Sequence, residues 1–274
     1  MSKAVSRRAW KAVAGLALGT SLALAGCGSS DDDVNYVEQP VEVLYNRALD
    51  ELGAQEYKAA AKGFEEVDRQ HPYSVWATKA QIMAAFAYYQ SNKYDEAIIA
   101  LDRFIQLHPG HRDIPYAYYL KALCYYEQIS DVGRDQRMTQ QALDALAEVV
   151  KRFPESPYAR DSRLKVELAI DHLAGKEMSV GRFYQQNKQY VGAINRYRVV
   201  IERYQTTTHV PEALHRLVES YLSLGVKSEA QEAAAVLGYN FPGSEWYQDS
   251  YYLMTGEGGP APSDEKSGWF FGLF

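Results

Sequence analysis

YDEAIIALDRFIQLHP, residues 94–109, is the stretch that decides the fold, because its layout returns along the chain. A helix-like segment ends at Pro109, a small Ala97 stands twelve residues before that proline, and Leu101 stands eight before it. Pro72, Pro154 and Pro242 close three further segments of the same design, with Ala60, Ala142 and Ala230 at the first offset and Phe64, Leu146 and Ala234 at the second. Tyr57 and Tyr94 lie fifteen residues before the first two prolines. A fifth copy has Gln205 where the proline would stand, yet keeps Gly181, Tyr184, Tyr190, Ala193, Tyr197 and Val200 at the matching positions.

Small residues such as Ala48, Ala85 and Ala60 let two antiparallel helices approach, and Tyr88, Phe64 and Phe104 fill the remaining space. The proline ends the second helix of each pair and re-aims the chain. This small-large pattern is that of tetratricopeptide repeats, whose units cannot bury their apolar faces alone and therefore stack. The expected fold is all-α: a right-handed α-solenoid of five tetratricopeptide (TPR) helix pairs with a C-terminal capping helix. Markers at 72, 109, 154, 205 and 242 are separated by 37, 45, 51 and 37 residues, which locates the insertions. A polar loop near 130–139 lengthens the third unit. Residues 158–187 contain no proline and place Leu164, Leu168, Leu173 and Met178 at helical spacing, which predicts one long helix bridging the first three repeats and the last two. Residues 244–254 predict the capping helix. The expected organisation is a leader at 1–26, a tether at 27–40, repeats one to three at 41–155, the long helix with repeats four and five and the cap at 156–255, and an aromatic tail at 256–274.

The leader carries Lys3, Arg7, Arg8 and Lys11, followed by an apolar run, 12–25, that is shorter than the about 20 residues a membrane-spanning helix needs. Leu24-Ala25-Gly26-Cys27 then reads as a lipoprotein signal, with Cys27 as the lipidated residue and new N-terminus; an ordinary secretory signal with an incidental cysteine is the alternative. Several acyl chains on one residue, each contributing about 0.8 kcal/mol per buried methylene, would anchor the protein to a membrane. Gly28, rather than an Asp, follows Cys27, which is compatible with export to an outer membrane. Asp31, Asp32 and Asp33 lack the Gly turn and distal Glu of a calcium loop and fit a solvated spacer.

The whole chain carries 29 Lys and Arg against 35 Asp and Glu, and removal of the leader takes away four basic residues and no acidic ones. The resulting charge of −10 argues against nucleic acid, whose binding requires Lys and Arg on phosphates, and against a polybasic membrane surface. Cys124 is then the one cysteine left, so no internal disulfide can form, and a lone thiol is safest when buried. No phosphate-binding loop, nucleophile elbow or dinucleotide motif is present. His108 and His111 have no further ligands at zinc spacing. The sequence predicts no enzyme, no metal and no cofactor beyond the lipid on Cys27.

Solenoids of this type present the first helix of each unit along a concave face. Repeat offsets place Tyr45, Leu49, Ile82, Phe86, Tyr89, Tyr116, Tyr119, Leu123 and Tyr126 there in the first three units, and Met178, Arg182, Gln185, Gln186, His215 and Glu219 in the last two. An aromatic half is thus followed by a polar half. The aromatic half suits an extended or helical peptide with aromatic side chains, although about half of these tyrosines are expected in the inter-repeat core. Trp269, Phe270, Phe271, Leu273 and Phe274 form an aromatic tail that fits a membrane interface, a partner, or no role.

The chain resembles the BamD/ComL family of outer-membrane assembly lipoproteins. The resemblance rests on LDRFIQLHPGH at 101–111 with Ile114 and the Tyr-rich 116–120, on HPYS at 71–74 with Ala87, Tyr88 and Tyr89, on SVGRFY at 179–184, and on AINRY at 193–197. It implies a lipid-anchored subunit of the β-barrel assembly machinery on the periplasmic face of the outer membrane, beside a BamA-like barrel pore protein and other assembly lipoproteins. It further implies that the N-terminal repeats receive unfolded outer-membrane protein precursors, here at Tyr45, Leu49, Ile82, Phe86, Tyr89, Tyr116, Tyr119 and Tyr126. The C-terminal repeats would bind the pore protein, with Arg196 of the Asn-Arg motif favoured over Arg182 and Glu219. The tail lies outside the resemblance. The alternative is a TPR scaffold lipoprotein that recruits peptidoglycan-remodelling or division proteins to the envelope.

Overall fold

A computed structural model describes residues 38–256. The leader, Cys27, most of the tether and the aromatic tail lie outside the described residues. Among the described residues eleven helices follow one another: α1 Val41–Gly53, α2 Tyr57–Gln70, α3 Val75–Gln90, α4 Tyr94–Leu107, α5 Ile114–Tyr126, α6 Arg137–Arg152, α7 Pro157–Gln186, α8 Tyr190–Arg203, α9 Val210–Ser223, α10 Lys227–Asn240 and α11 Glu245–Thr255. Each packs on the next in order, and α1, α3, α5 and α7 also meet side by side, as α9 and α11 do. The first helices of successive pairs therefore form a continuous layer backed by the second helices, and among the described residues all regular structure is helical. This is a tetratricopeptide-type helical stack. No helix among the described residues is long and apolar enough to cross a membrane.

Four of the five turns between paired helices are built alike. Gln55, Asn92, Lys188 and Gly225 take left-handed backbone, with φ of 63°, 58°, 60° and 77°. The amide after each reaches back to a carbonyl five residues earlier, as in Glu56 N–H to Glu51 O, Lys93 to Tyr88, Gln189 to Tyr184 and Val226 to Tyr221, all 2.9 Å. These are Schellman closures, which satisfy the last carbonyls of the first helix and reverse the chain in three residues. The third unit is the exception: ten residues, 127–136, replace the tight turn.

The second helices also end alike. His71, His108, Phe153, Tyr204 and Phe241 have φ between −135° and −123° and ψ between 43° and 56°. Four precede proline, which disfavours helical backbone in the residue before it. Tyr204 precedes Gln205 and adopts the same conformation, so the packing of the next pair imposes this ending even without the ring.

Burial follows the repeat offsets. Ala60, Ala97, Ala142, Ala193 and Ala230 are fully buried, as are Phe64, Leu101, Leu146 and Tyr197 one turn on. Close approach is tightest where glycine replaces alanine: a Cβ on Gly181 would lie 2.9 Å from Tyr197 Cδ1 and closer still to Cε1. Cys124 is buried, and desolvation pushes its thiol up to about 12, so it is held as an unreactive neutral group.

Gly181→Ala is expected to cost about 1–3 kcal/mol through overpacking against Tyr197. Gly53→Ala, at a helical position with no atom within 4 Å, should be neutral or stabilising by up to about 1 kcal/mol. Thermal or urea unfolding of the two variants checks the contrast.

Candidate protein-binding surface

The face made by the first helices contains two chemically different regions. In the N-terminal region the side chains are not all free. Tyr45 is buried, edge-on to Phe64 of α2 at 5.4 Å and tilted on Trp76 of α3 at 4.8 Å, and Ile82 is buried in the next cluster. Both were expected on the groove and belong instead to the core, because their position in the repeat points between the second helix of its own unit and the first helix of the next. Met178 and His215 occupy the equivalent place in units four and five and are buried as well. Leu49 remains exposed, and Phe86, Leu123 and Tyr126 are half-buried.

Two of the tyrosines that stay on the face, Tyr89 and Tyr119, are held by acids on neighbouring segments. The Tyr89 hydroxyl donates to Glu127 at 3.2 Å, and the Tyr119 hydroxyl donates to Asp161 of α7 at 2.6 Å. Tyr119 stacks on Tyr158 at 5.1 Å and 24°, while Tyr116 leans on the same ring at 5.5 Å. Lys165 bridges this group, 3.1 Å from Asp161 and 5.4 Å from the centre of the Tyr126 ring. Desolvation and then the Glu127 carboxylate push Tyr89 up to about 12, and desolvation with Tyr158 does the same for Tyr116. These phenols are therefore neutral hydrogen-bond donors set in an apolar surface. Such a surface offers ring faces to aromatic side chains and hydroxyls to a peptide backbone.

Tyr158, Asp161 and Lys165 were not among the residues picked from sequence, because they lie in the long helix read as a bridge. A signal for them exists. Ser74, Ser156 and Ser244 each follow a proline by two residues and precede an aromatic residue by two, namely Trp76, Tyr158 and Trp246. Each aromatic clasps a first-helix side chain of the preceding unit: Trp76 on Tyr45, Tyr158 on Tyr119, and Trp246 on His215 at 5.3 Å.

In the C-terminal region Arg182 and Glu219 belong to one network. Arg182 Nη1 lies 2.9 Å from both carboxylate oxygens of Glu212, and Arg216 reaches Glu212 at 3.4 Å and Glu219 at 2.8 Å. Gln185 donates to Glu219 at 2.8 Å and accepts from the Tyr197 hydroxyl at 2.7 Å. His215 approaches Glu219 at 3.5 Å, hydrogen-bonds Ser250 of α11 at 2.8 Å, and with Arg216 packs on Trp246. Arg196 stands apart from this network. It lies on the second helix α8 and pairs with Glu177 at 3.1 Å. Glu177 and Arg182 are five residues apart on α7, which separates them by roughly 140° around the helix. The structure therefore does not bring Arg196 together with Arg182 and Glu219. No group of three or more His, Cys, Asp or Glu among the described residues could hold a metal ion.

A stack of helix pairs with an acid-capped aromatic region and a separate charged region defines a tetratricopeptide-repeat protein. Residues 37–237 match the YfiO family, described as "Outer membrane lipoprotein", and the chain belongs to that family. An outer membrane protein assembly factor BamD of Caulobacter vibrioides is 50% identical over 248 residues, which span 89% of this chain and 81% of that one. The BamD of Rickettsia prowazekii is 47% identical, spanning 85% and 92%, and that of Neisseria meningitidis serogroup A is 36% identical, spanning 84% and 91%.

Burial raises the carboxyl of Glu219, but hydrogen bonds from His215, Arg216 and Gln185 outweigh it and hold the group down at about 2, against 4.5 for an ordinary glutamate. A depressed carboxyl contributes stability that is complete above pH 4.5 and is lost as pH falls toward 2. Glu219→Gln is expected to lower stability at neutral pH and to flatten the acid limb between those values, as read from thermal unfolding across pH 2–6.

Proposed function

We propose that this chain is the lipid-anchored, periplasm-facing repeat subunit of the outer-membrane β-barrel assembly machinery. The observation that carries the reading is the 50% identity to the Caulobacter assembly factor over 89% of the chain. The lipoprotein signal ending at Cys27 supports the anchor, since the described helices supply no membrane span of their own.

The N-terminal aromatic region is the surface for unfolded barrel precursors. Its contact set is Leu49, Phe86, Tyr89, Tyr116, Tyr119 and Tyr126, with Tyr45 and Ile82 acting from beneath by holding α1 and α3 in place. Precursor segments rich in aromatic residues would gain ring stacking and hydroxyl contacts there without needing a unique sequence, which suits a subunit that serves many clients. The C-terminal half contacts a BamA-like pore protein, with Arg196 as the leading residue. Its guanidinium is held half-exposed by Glu177 and can take a second carboxylate. Arg182 is occupied by Glu212, and Glu219 by Arg216 and Gln185, so they act by keeping α7 and α9 in register, which makes them weaker contacts. Work here is binding and handover. Other assembly lipoproteins complete the complex.

Affinity purification of the acylated protein from detergent-solubilised outer membranes is expected to bring down a near-stoichiometric barrel protein with periplasmic repeat domains; peptidoglycan or division proteins in its place would overturn the reading. Arg196→Glu should remove that barrel protein while leaving helicity unchanged. Tyr89→Ala with Tyr119→Ala should instead weaken binding of aromatic precursor peptides by tenfold or more, about 1.4 kcal/mol. Fluorescence anisotropy with labelled peptides separates the two effects, and crossed results would refute the division of labour.

A further inference from the structure

The chain enters the stack at a fixed place. The Gln39 amide donates to Gln70 Oε1 at 2.9 Å, and the Gln39 carbonyl lies 2.7 Å from His71 Nε2, so residue 39 is tied to the C-terminal end of α2. A sharp turn follows that tie. The Ser74 amide donates to the His71 carbonyl at 3.0 Å, which puts Pro72 and Tyr73 at the apex of a closed turn. The Ser74 hydroxyl then caps α3 by accepting from the Ala77 amide at 3.0 Å. Held this way, Tyr73 is 102% exposed and Val75 is 75% exposed. Because α1 and α2 are antiparallel, the start of α1 shares the corner, with Pro40 and Val43 also exposed.

The later units do not repeat this corner. Gly110, Glu155, Thr206 and Gly243 stand where Tyr73 stands, and Pro157 and Glu245 follow the serines that match Ser74. Large exposed apolar side chains are thus displayed at the turn beside which the chain enters the fold. The charges around them balance, with Glu38 and Glu42 against Arg69 and Lys79. An aromatic and aliphatic corner without net charge suits the headgroup layer of a bilayer, where a tyrosine ring lies against lipid and its hydroxyl stays in water. It does not suit the polybasic kind of contact with anionic lipid. Cys27 lies twelve residues before Gln39, so an acyl anchor there keeps the corner within about 43 Å of the bilayer surface. At that effective concentration, a contact too weak to hold the protein by itself is occupied.

We propose that the corner formed by Pro40, Val43, Pro72, Tyr73 and Val75 rests in the headgroup layer of the membrane that holds the anchor, which sets the direction in which the stack leaves the bilayer. The proposal rests on the lipid-anchor reading above. Full-length acylated protein carrying p-benzoylphenylalanine at position 73 tests it, with the same group at position 239, an exposed tyrosine on α10, for comparison. Each is photolysed in vesicles of phosphatidylcholine and phosphatidylethanolamine, and intact mass reads both the acyl chains on Cys27 and any added phospholipid. The expected result is a phospholipid adduct several-fold more abundant at position 73 than at 239. Val75→Glu, an acid at the first position of α3 that favours the helix, should lower the adduct at 73 several-fold with acylation and helicity unchanged. Equal yields at the two positions, no adduct at 73, or an unchanged yield in Val75→Glu would overturn the contact and leave the anchor standing. Protein without the acyl mass would overturn the anchor and the contact with it.

Discussion

Two helix backbones can lie against each other only where side chains are small, and the pairs of this protein are built on that restriction. A Cβ on Gly63 would be 2.9 Å from Ala48 Cβ, and one on Gly238 would be 2.5 Å from Tyr247. At Gly181 the space left by the missing side chain is occupied by the ring of Tyr197, which is thereby fully buried between α7 and α8. Because the ring is driven that deep, its hydroxyl reaches Gln185, whose amide then donates to Glu219. The charged network of the last two units is therefore positioned by a glycine one turn earlier on the same face of α7. Close packing and the charged network are joined through one side chain.

The departures from regularity are as informative as the repeats. Four tight turns need one left-handed residue each, and three of the four are not glycine, at a cost of about 1–2 kcal/mol per residue. The folded chain carries that strain in exchange for the sharp reversal. Where the third unit abandons that turn for ten residues, the local core shrinks to Ala122, Leu146 and Val149, and a cavity takes the place of packed side chains. The smallest of the four buried clusters thus lies beside the aromatic region.

The small and large offsets were legible in the sequence because a helix pair cannot close without them, and Ala60, Ala97, Phe64 and Leu101 are buried as the pattern requires. The free surface was less legible. Repeat position alone put Tyr45 and Ile82 on a groove, whereas exposure depends on what the following unit lays over that position. Trp76, thirty-one residues beyond Tyr45, covers it. Asp161 reaches Tyr119 across 42 residues of sequence, a pairing no local pattern encodes. Arg196 was found through a short motif rather than through its offset, and so its distance from Arg182 and Glu219 around the stack could not be read in advance.

The long helix α7 runs 30 residues without a break, about 45 Å at 1.5 Å per residue. Its first half carries Tyr158, Asp161 and Lys165 into the aromatic region, and its second half carries Arg182 and Gln185 into the charged one and turns Glu177 toward Arg196. A helix turns about 100° for each residue, so the angular phase between the two regions is set by an integer count along one rod. Insertion or loss of a single residue between Lys165 and Glu177 would rotate one set of contacts by more than a quarter-turn against the other. The two regions are thereby held at one fixed mutual angle, like two keys cut on one shaft.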